Sequence, residues 1–411
     1  MKIVDVVLSG GLTGFYYDDQ KAIKMGAKSD GMAYVGEPVT KGFKSIRVPG
    51  ECVNVQLILE DGSIAFGDCV AVQYSGAGGR DPLFLAKDYI PFMENNLVSW
   101  LKGLKVEDFL KNADELEAMH VAGERLHTAI RYGLSQALLD AAAKAKKCTM
   151  AEIIKEQFDL SNKILPRPIF SQSGDDRNIN ADKMIIKGVD VLPHALINNV
   201  ETKLGKKGEI LAEYVEWLCD RIKTIGAEGY APRIHIDVYG TIGDIFDLDA
   251  KKQADYIISL EKIAAPLQLV IEGPMDAGEK GKQIECLAAL TAELEAQGSK
   301  TLLVADEWAN TFDDIVDFVN AKAGHIMQIK CPDLGSVHQV AKAVIYCNER
   351  GYGSYVGGSC NETDISSRCT TNVAMATQAF QVLAKPGMGV DEGIMIVNNE
   401  MSRVTALANH K

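Results

Sequence analysis

Apolar and polar positions follow two different rhythms along this chain. Up to about residue 120, strand-like runs are separated by glycine turns. Val53-Asn54-Val55-Gln56-Leu57-Ile58-Leu59 alternates apolar with polar residues, and Glu60-Asp61-Gly62-Ser63 then turns into another short strand. Period-two alternation followed by an Asp-Gly turn predicts a hairpin in an antiparallel sheet. Leu126, Ile130, Leu134, Leu138 and Ala141 then share one face of a helix. The first segment therefore reads as a separate α+β domain joined to the rest through helices.

From about residue 164 the pattern changes to strand, polar strand end and helix, repeated. Ile210, Leu211, Tyr214, Val215, Leu218, Ile222 and Ile225 form one amphipathic face, which Gly226 can stop. Ile284, Leu287, Leu290 and Leu294 form the next, before Gly298. Thr311 can cap a helix carrying Ile315, Val316 and Val319, ending near Gly324. Ser336-Val337-His338-Gln339 has capping-box spacing ahead of Val340, Val344 and Ile345, with Gly351 at the far end. Strands are expected to end near Gln172, His194, Asp237, Glu272, Asp306, Lys330 and Ser359. Seven helix-followed parallel strands with polar ends favour a barrel, whose chemistry is drawn from many strand ends, over an open sheet with one switch point. There is no Gly-rich dinucleotide fingerprint and no P-loop. We divide the chain into residues 1–160, an N-terminal α+β domain, and 161–411, the barrel.

Three of these strands end in an acid: Ile234-His235-Ile236-Asp237, Leu269-Val270-Ile271-Glu272 and Leu303-Val304-Ala305-Asp306, at steps of 35 and 34 residues. Ile326-Met327-Gln328-Ile329-Lys330 ends in a lysine 24 residues after the last acid. In a parallel barrel all these ends meet around one mouth. Carboxylates converging there repel one another unless a hard cation sits among them, and an all-oxygen donor set suits Mg²⁺ and disfavours zinc. A single acid at such a junction is more often a helix cap; three in succession favour metal binding. Lys330, between Ile329 and Cys331-Pro332, is expected to lose solvation beside the metal and act as a base. The alternative is a lysine that only pairs with a site carboxylate. A divalent metal facing a lysine is suited to removing a proton from carbon beside a carboxylate.

His194 closes the second strand and can serve as a second acid or base. His235, two residues before Asp237 inside a strand, reads as a packed histidine, and the other five histidines carry no signal. Gln73, Gln172 and Gln328 can hold a substrate carboxylate or amino group, although a buried glutamine satisfied by backbone is the commoner case. Gly357-Gly358-Ser359-Cys360-Asn361-Glu362-Thr363 can offer backbone N–H groups to an anion. Tyr74-Ser75-Gly76-Ala77-Gly78-Gly79-Arg80-Asp81-Pro82 reads as a loop able to close over the mouth.

Composition narrows the class without changing the picture. With 47% hydrophobic and 24% charged residues the chain is globular, and 411 residues accommodate a barrel of about 250 plus a second domain. The net charge, 43 − 56 = −13, argues against nucleic acid or an anionic membrane as partner. The nine cysteines show no C-x-x-C pair, which fits reduced thiols. Met1-Lys2-Ile3-Val4-Asp5 enters a strand pattern at once, and no apolar run reaches the ~18 residues of a membrane span. A cytoplasmic location is expected.

Taken together these segments resemble the enolase superfamily and, within it, the methylaspartate ammonia-lyase family. The likeness is carried by Gln73 to Asp81, Leu192-Pro193-His194, His235-Ile236-Asp237-Val238-Tyr239-Gly240, Gln328-Ile329-Lys330-Cys331-Pro332-Asp333 and Gly357 to Asp364, over essentially the whole length. The resemblance implies a (β/α)7β TIM-like barrel with an α+β capping domain. It implies reversible elimination of ammonia from L-threo-3-methylaspartate to mesaconate, in anaerobic glutamate degradation. It assigns Asp237, Glu272 and Asp306 to Mg²⁺, Lys330 to the C3 base and His194 to the epimeric face. By the same likeness Gln172, Gln328, Ser359 and Cys360 hold the small amino-acid substrate, Gln73 and Tyr355 lie near, and Leu383 lines the methyl pocket. A monovalent cation, K⁺, and a homodimer are also implied. Ser359 stands where the family pattern expects threonine, which keeps the hydroxyl and loses a methyl.

The competing expectations are another enolase-superfamily enzyme, a racemase, cycloisomerase or dehydratase, and a catalytically silent barrel that binds a partner. The K-x-K pair of the mandelate-racemase and muconate-cycloisomerase kinds is missing from Ile185-Ile186-Lys187-Gly188-Val189, which weighs against those enzymes. The intact triad with Lys330 and His194 weighs against the silent barrel.

Overall fold

The computed structural model describes residues 1–77, 79–357, 359–384, 387 and 389–410. Long strands β1 (Ile3–Asp18) and β4 (Arg47–Leu59) pair antiparallel, and β5 (Ile64–Cys69) completes the sheet on the far side of β4. Val53, Val55, Leu57 and Leu59 are buried while Asn54, Gln56 and Ile58 are half exposed, so the period-two pattern sets which face packs. The expected hairpin turn forms: Asp61 Oδ1 accepts from the Ser63 N–H at 2.9 Å, and Gly62 takes φ +84°. Two short hairpins, β2–β3 (Lys28–Asp30 with Ala33–Val35) and β6–β7 (His120–Val121 with Glu124–Arg125), decorate this layer. The helix Thr128–Lys146 crosses β5 almost backbone to backbone. A Cβ on Gly133 would lie 2.3 Å from the Cys69 nitrogen, and one on Gly67 would lie 2.2 Å from the Gly133 carbonyl.

The remaining strands close a parallel barrel in chain order: β8 (Ile169–Phe170), β9 (Val191–His194), β10 (Arg233–Asp237), β11 (Leu269–Glu272), β12 (Leu302–Ala305), β13 (Ile326–Lys330), β14 (Gly353–Gly357) and β15 (Gln381–Leu383), with β15 pairing back onto β8. Ile234, Ile236, Ile271, Leu303, Met327, Ile329 and Val356 join the main core with the surrounding helices. Phe170, Val191, Val270, Val304, Ile326, Tyr355 and Leu383 form a second cluster, as expected for a barrel filled by side chains in layers. The helix Val390–Asn409 follows the last strand and packs against the helices Asp364–Thr377 and Arg177–Ile186.

Most helix signals hold. Thr311 and Asp314 form a capping box, and Gly226 ends the helix Glu209–Ile225. The box expected at Ser336 does not form. Ser336 precedes the helix Val337–Glu349 but its buried hydroxyl makes no cap bond, and Gln339 turns to His338 Nε2 at 2.9 Å.

The antiparallel layer meets the barrel through buried carboxyl groups. The Tyr132 hydroxyl donates to Glu362 Oε2 at 3.1 Å, the Ser366 hydroxyl also donates to Glu362, and Thr363 Oγ1 donates to Asp68 Oδ2 at 2.5 Å. Burial pushes the Glu362 carboxyl up to about 8; the Ser366 and Tyr132 hydrogen bonds oppose this and the Asp68 charge adds to it. Burial likewise raises Asp68 to about 6. Both folded values lie above the unfolded values of about 4, so the folded state binds these protons more tightly. Their stabilising contribution is whole below about pH 4 and is lost as pH rises to about 6 for Asp68 and about 8 for Glu362, at about 1.4 kcal/mol per unit for each titrating group. The melting temperature of Glu362→Gln should therefore fall less between pH 6 and 9 than that of the parent protein. Parallel pH profiles for the two would show that Glu362 does not titrate there.

Candidate active site

The barrel order β9-β10-β11-β12-β13 sets the site. His194 ends β9, Asp237 ends β10, Glu272 ends β11, Asp306 follows β12 and Lys330 ends β13. Three acids thus stand on adjacent strands, with the histidine on one flank and the lysine on the other. None of the acids caps a helix. The next helices begin at Thr241, Lys280 and Phe312, with Gly240, Glu279 and Thr311 at their cap positions. His194, Asp237, Asp306 and Lys330 line a cavity of about 100 Å³ that the Val72–Tyr74 stretch and Arg80 close from the other layer. A larger cavity, about 430 Å³, lies on the far side of Arg80, and its guanidinium–carboxylate pair, Arg131 with Glu117, is already matched. The acid/base groups belong to the smaller one.

The electrostatics centre on uncompensated carboxylates. Ligand atoms of His194, Asp237 and Glu272 lie within 4.8 Å of one another, all three residues being buried. His194 Nε2 is 3.1 Å from Asp237 Oδ2. Asp306 turns toward Lys330, with Nζ 2.6 Å from Oδ1, and Nζ also donates to Glu307 Oε1 at 3.1 Å. Burial, followed by the charges of Asp237 and Asp306, raises the Glu272 carboxyl well above its ordinary range. Burial raises Asp306 to about 7 against the pull of Lys330. For Lys330, burial acts downward, but Asp306 and Glu307 outweigh it and hold the ammonium above its ordinary value. The loss of solvation expected from the sequence is present, but the neighbouring carboxylates reverse its effect on the lysine. A divalent cation on Asp306 would offset the charge that holds Lys330 protonated.

The donor set fits such a cation. It is dominated by buried carboxylate oxygens, and the fully buried Glu272 bonds neutral donors rather than a cationic side chain. His235 Nε2 at 2.8 Å, Gln328 Nε2 at 2.8 Å and the Tyr355 hydroxyl at 3.1 Å all donate to Glu272, which fixes its orientation.

The other expected residues divide into two groups. Gln73, Gln172, Gln328, Ser359 and Cys360 line the cavity with Asp237 and Asp306, whereas Glu272 is fully buried and does not line it. Gln73 Nε2 donates to Asp18 Oδ2 at 2.6 Å and Ser359 Oγ accepts from the Asn361 N–H at 3.2 Å. Gln172 makes no protein hydrogen bond among the described residues, and Gln328 Oε1 is buried without a partner. Tyr355 and Leu383 do not line the cavity; both belong to the interior cluster with Phe170. Gly78 and Gly358 lie outside the described residues. Sequence reasoning passed over Glu307, whose only signal is the acidic doublet Asp306-Glu307, and the particular role of Arg80. Arg80 Nε lies 3.1 Å from both Asp333 oxygens, and its Nη2 donates to Asp333 Oδ2 at 3.0 Å and Asn310 Oδ1 at 3.1 Å. It ties the Tyr74-to-Pro82 loop to the segment just after Lys330. His235 is packed as expected, stacked on Phe170 at 4.1 Å, and also bonds a site carboxylate.

Comparison with known proteins agrees with this geometry. Residues 1–159 match the family model "Methylaspartate ammonia-lyase N-terminus" and residues 162–410 match "Methylaspartate ammonia-lyase C-terminus". The chain is 58% identical to a methylaspartate ammonia-lyase of Clostridium tetanomorphum and 56% identical to one of Citrobacter amalonaticus, covering 100% of each chain in both cases. The fold matches the crystal structure of beta-methylaspartase from Clostridium tetanomorphum, a Mg-complex, with a TM-score of 0.98, 58% identity and 100% of both chains covered. It matches the Citrobacter amalonaticus enzyme containing (2S,3S)-3-methylaspartic acid with a TM-score of 0.98, 56% identity and the same coverage. Muconate cycloisomerase from Pseudomonas fluorescens, 14% identical with a TM-score of 0.58 over 91% of this chain and 84% of that one, shares the fold alone.

Replacing Arg80 with alanine should raise amide hydrogen exchange across the described residues of the 74–82 loop and leave exchange in the barrel strands unchanged. Unaltered loop exchange would show that its other contacts suffice to hold it.

Proposed function

The chain belongs to the methylaspartate ammonia-lyase family of the enolase-type barrels, and from that premise we propose that it carries out the Mg²⁺-dependent, reversible elimination of ammonia from L-threo-3-methylaspartate to mesaconate. The observation that carries the reading is the rim order itself: an acid on each of three adjacent strands, with Lys330 and His194 on opposite flanks. Residues 1–160 act as the capping domain and 161–411 as the catalytic barrel.

Asp237, Glu272 and Asp306 are the residues that would hold the cation. When bound, it supplies positive charge to the carboxylate beside C3, and so makes that C–H bond more acidic. Lys330 takes the C3 proton. The electron pair left behind forms the C2–C3 double bond, and ammonia departs from C2 with the C–N pair. In the reverse direction Lys330 returns the proton. His194, across the three acidic strands, serves the epimer whose C3 proton points the other way. Gln328 spends its amide N–H on Glu272, so its unpaired buried oxygen is available to accept from the substrate ammonium. Gln73, Gln172, Ser359 and Cys360 take the carboxylates, and Tyr355 acts through Glu272. Leu383, beneath the cavity, bounds the side on which the methyl group lies. Ser359, lacking the methyl of threonine, keeps the hydroxyl for the same contact.

The family likeness also supports K⁺ as a second ion, a homodimer, a cytoplasmic location and a place in anaerobic glutamate degradation. No helix among the described residues is long and apolar enough to cross a membrane.

With Mg²⁺, K⁺ and threo-3-methylaspartate, the purified protein should produce the ultraviolet absorbance of a conjugated dicarboxylate. Lys330→Ala should lower turnover by on the order of 10²-fold or more. Parent activity no greater than that of this variant would sink the lyase reading. His194→Ala is expected to reduce turnover of the erythro epimer more than that of the threo substrate, measured by the same absorbance. Equal losses would reject a base on each face.

A further inference from the structure

Beneath the rim a line of polar side chains crosses the barrel interior. Arg233 and His235 lie two residues apart on β10, and Gln381 comes from β15, which is separated from β10 by β8 and β9. Arg233 lies over the Phe380 ring at 4.1 Å, and its Nη1 donates to Gln381 Oε1 at 3.1 Å. Gln381 Nε2 lies 2.9 Å from His235 Nδ1, and His235 Nε2 lies 2.8 Å from Glu272 Oε2. Gln381, His235 and Glu272 are all fully buried. The His235 ring is stacked on Phe170 at 4.1 Å, with an interplanar angle of 8°, and the edge of Tyr355 meets it at 5.7 Å.

The order of donors and acceptors along this line has one consistent solution. A guanidinium has only donors, so the Gln381 oxygen must face Arg233. The amide NH₂ then faces His235 and needs a lone pair on Nδ1. The ring proton is thereby left on Nε2, where it points at Glu272. Turning the amide over would set its N–H groups against those of Arg233, and the stacked Phe170 ring with the Tyr355 ring beside the stack keeps the imidazole from swinging away. A side chain at the far end of β10 therefore determines what the central carboxylate of the rim receives.

We propose that His235 is a positioning residue for the metal site: Arg233 and Gln381 hold it as the Nε2–H tautomer, and that donor orients Glu272 toward the cation. The proposal rests on the reading of Glu272 as a Mg²⁺ ligand. Donors behind a ligand fix its direction, and losing one commonly weakens metal affinity by about 10- to 100-fold. The inference separates His235 from a merely packed ring, which an isosteric apolar ring could replace without effect on the metal.

The tests are nitrogen NMR of histidine-labelled protein and Mg²⁺ calorimetry. In the metal-free parent, the His235 signals, assigned by their loss in His235→Gln, should show a protonated Nε2 and a bare Nδ1. Mg²⁺ affinity should fall about 10- to 100-fold in His235→Phe, fall detectably in Gln381→Met, and remain within a few-fold of the parent in His235→Gln, which keeps an N–H donor at the same reach. Melting in EDTA checks that each variant is folded. If His235→Phe fails to fold, Gln381→Met and the NMR of the parent decide. A proton on Nδ1, or a folded His235→Phe that binds Mg²⁺ as tightly as the parent, overturns the proposal. A parent that binds no Mg²⁺ overturns the metal reading and this inference together, whereas tight parent binding that no variant weakens overturns this inference alone.

Discussion

Five successive barrel strands deliver their last polar residues into one buried space, and the cost of burying those charges organises what surrounds them. Glu272 is fully buried, Asp237 nearly so, and Asp306 stands beside both. Carboxylates in such a setting are stable only when they are paired, protonated or bound to metal. The chain uses the first device in part, through His194 on Asp237 and Lys330 on Asp306. It surrounds Glu272 with three neutral donors instead. Neutral donors orient a carboxylate without cancelling its charge, and a centre arranged in that way favours a cation.

The same constraint explains why a second layer is needed. A barrel mouth left open would let water screen the rim charges, and the interaction of Lys330 with its carboxylates would weaken. Val72, Gln73, Tyr74 and Arg80 cover the cavity from the antiparallel layer. That layer is held down by Tyr132 and Asp68 on Glu362 and Thr363. At the rim it is held by Arg80 on Asp333. The first contact runs through hydroxyl donors to carboxyl groups of raised pKa and the second is an ion pair, so the two attachments respond differently to pH and salt. The close approach of Gly133 to Cys69 keeps the helix carrying Tyr132 against its sheet, which fixes how far Tyr132 reaches.

Much of this was legible in the sequence because it is local. An apolar strand ending in an acid, repeated at the spacing of one βα unit, survives without any knowledge of tertiary contacts. Asp237, Glu272, Lys330 and His194 all close the strands expected of them, and Asp306 follows its strand directly. What was not legible is what crosses the barrel. His235 read as a packed ring because nothing near it in sequence announces Glu272 on one nitrogen and Gln381 on the other. The final strand, Gln381–Leu383, is only three residues long, too short for a periodic signal. Ser336 has capping-box spacing, but a spacing cannot tell that Gln339 will prefer His338. Tyr355 and Leu383 were expected at the substrate. Both belong to the interior cluster with Phe170 and are not among the lining of the small cavity, because inward-facing positions on a barrel strand differ in depth.

That difference in depth bears on what the site can recognise. Below the rim, almost every polar atom of the network is matched: Gln381 at both ends of its amide, His235 at both nitrogens, Tyr355 at its hydroxyl. At the rim the matching stops. Gln328 has spent its nitrogen on Glu272 and keeps a buried oxygen with no partner. His194 has spent Nε2 on Asp237 and keeps Nδ1 unmatched. Each such atom costs about 1–3 kcal/mol when left unsatisfied in a dry interior. Concentrated on the wall of one small cavity, they describe the ligand by complement. On the proposed reading, the ammonium group supplies donors for the Gln328 oxygen, and the cation supplies charge for the carboxylates. A neutral apolar molecule of the same size would relieve none of these atoms, so the discrimination rests in atoms that the barrel network leaves unmatched.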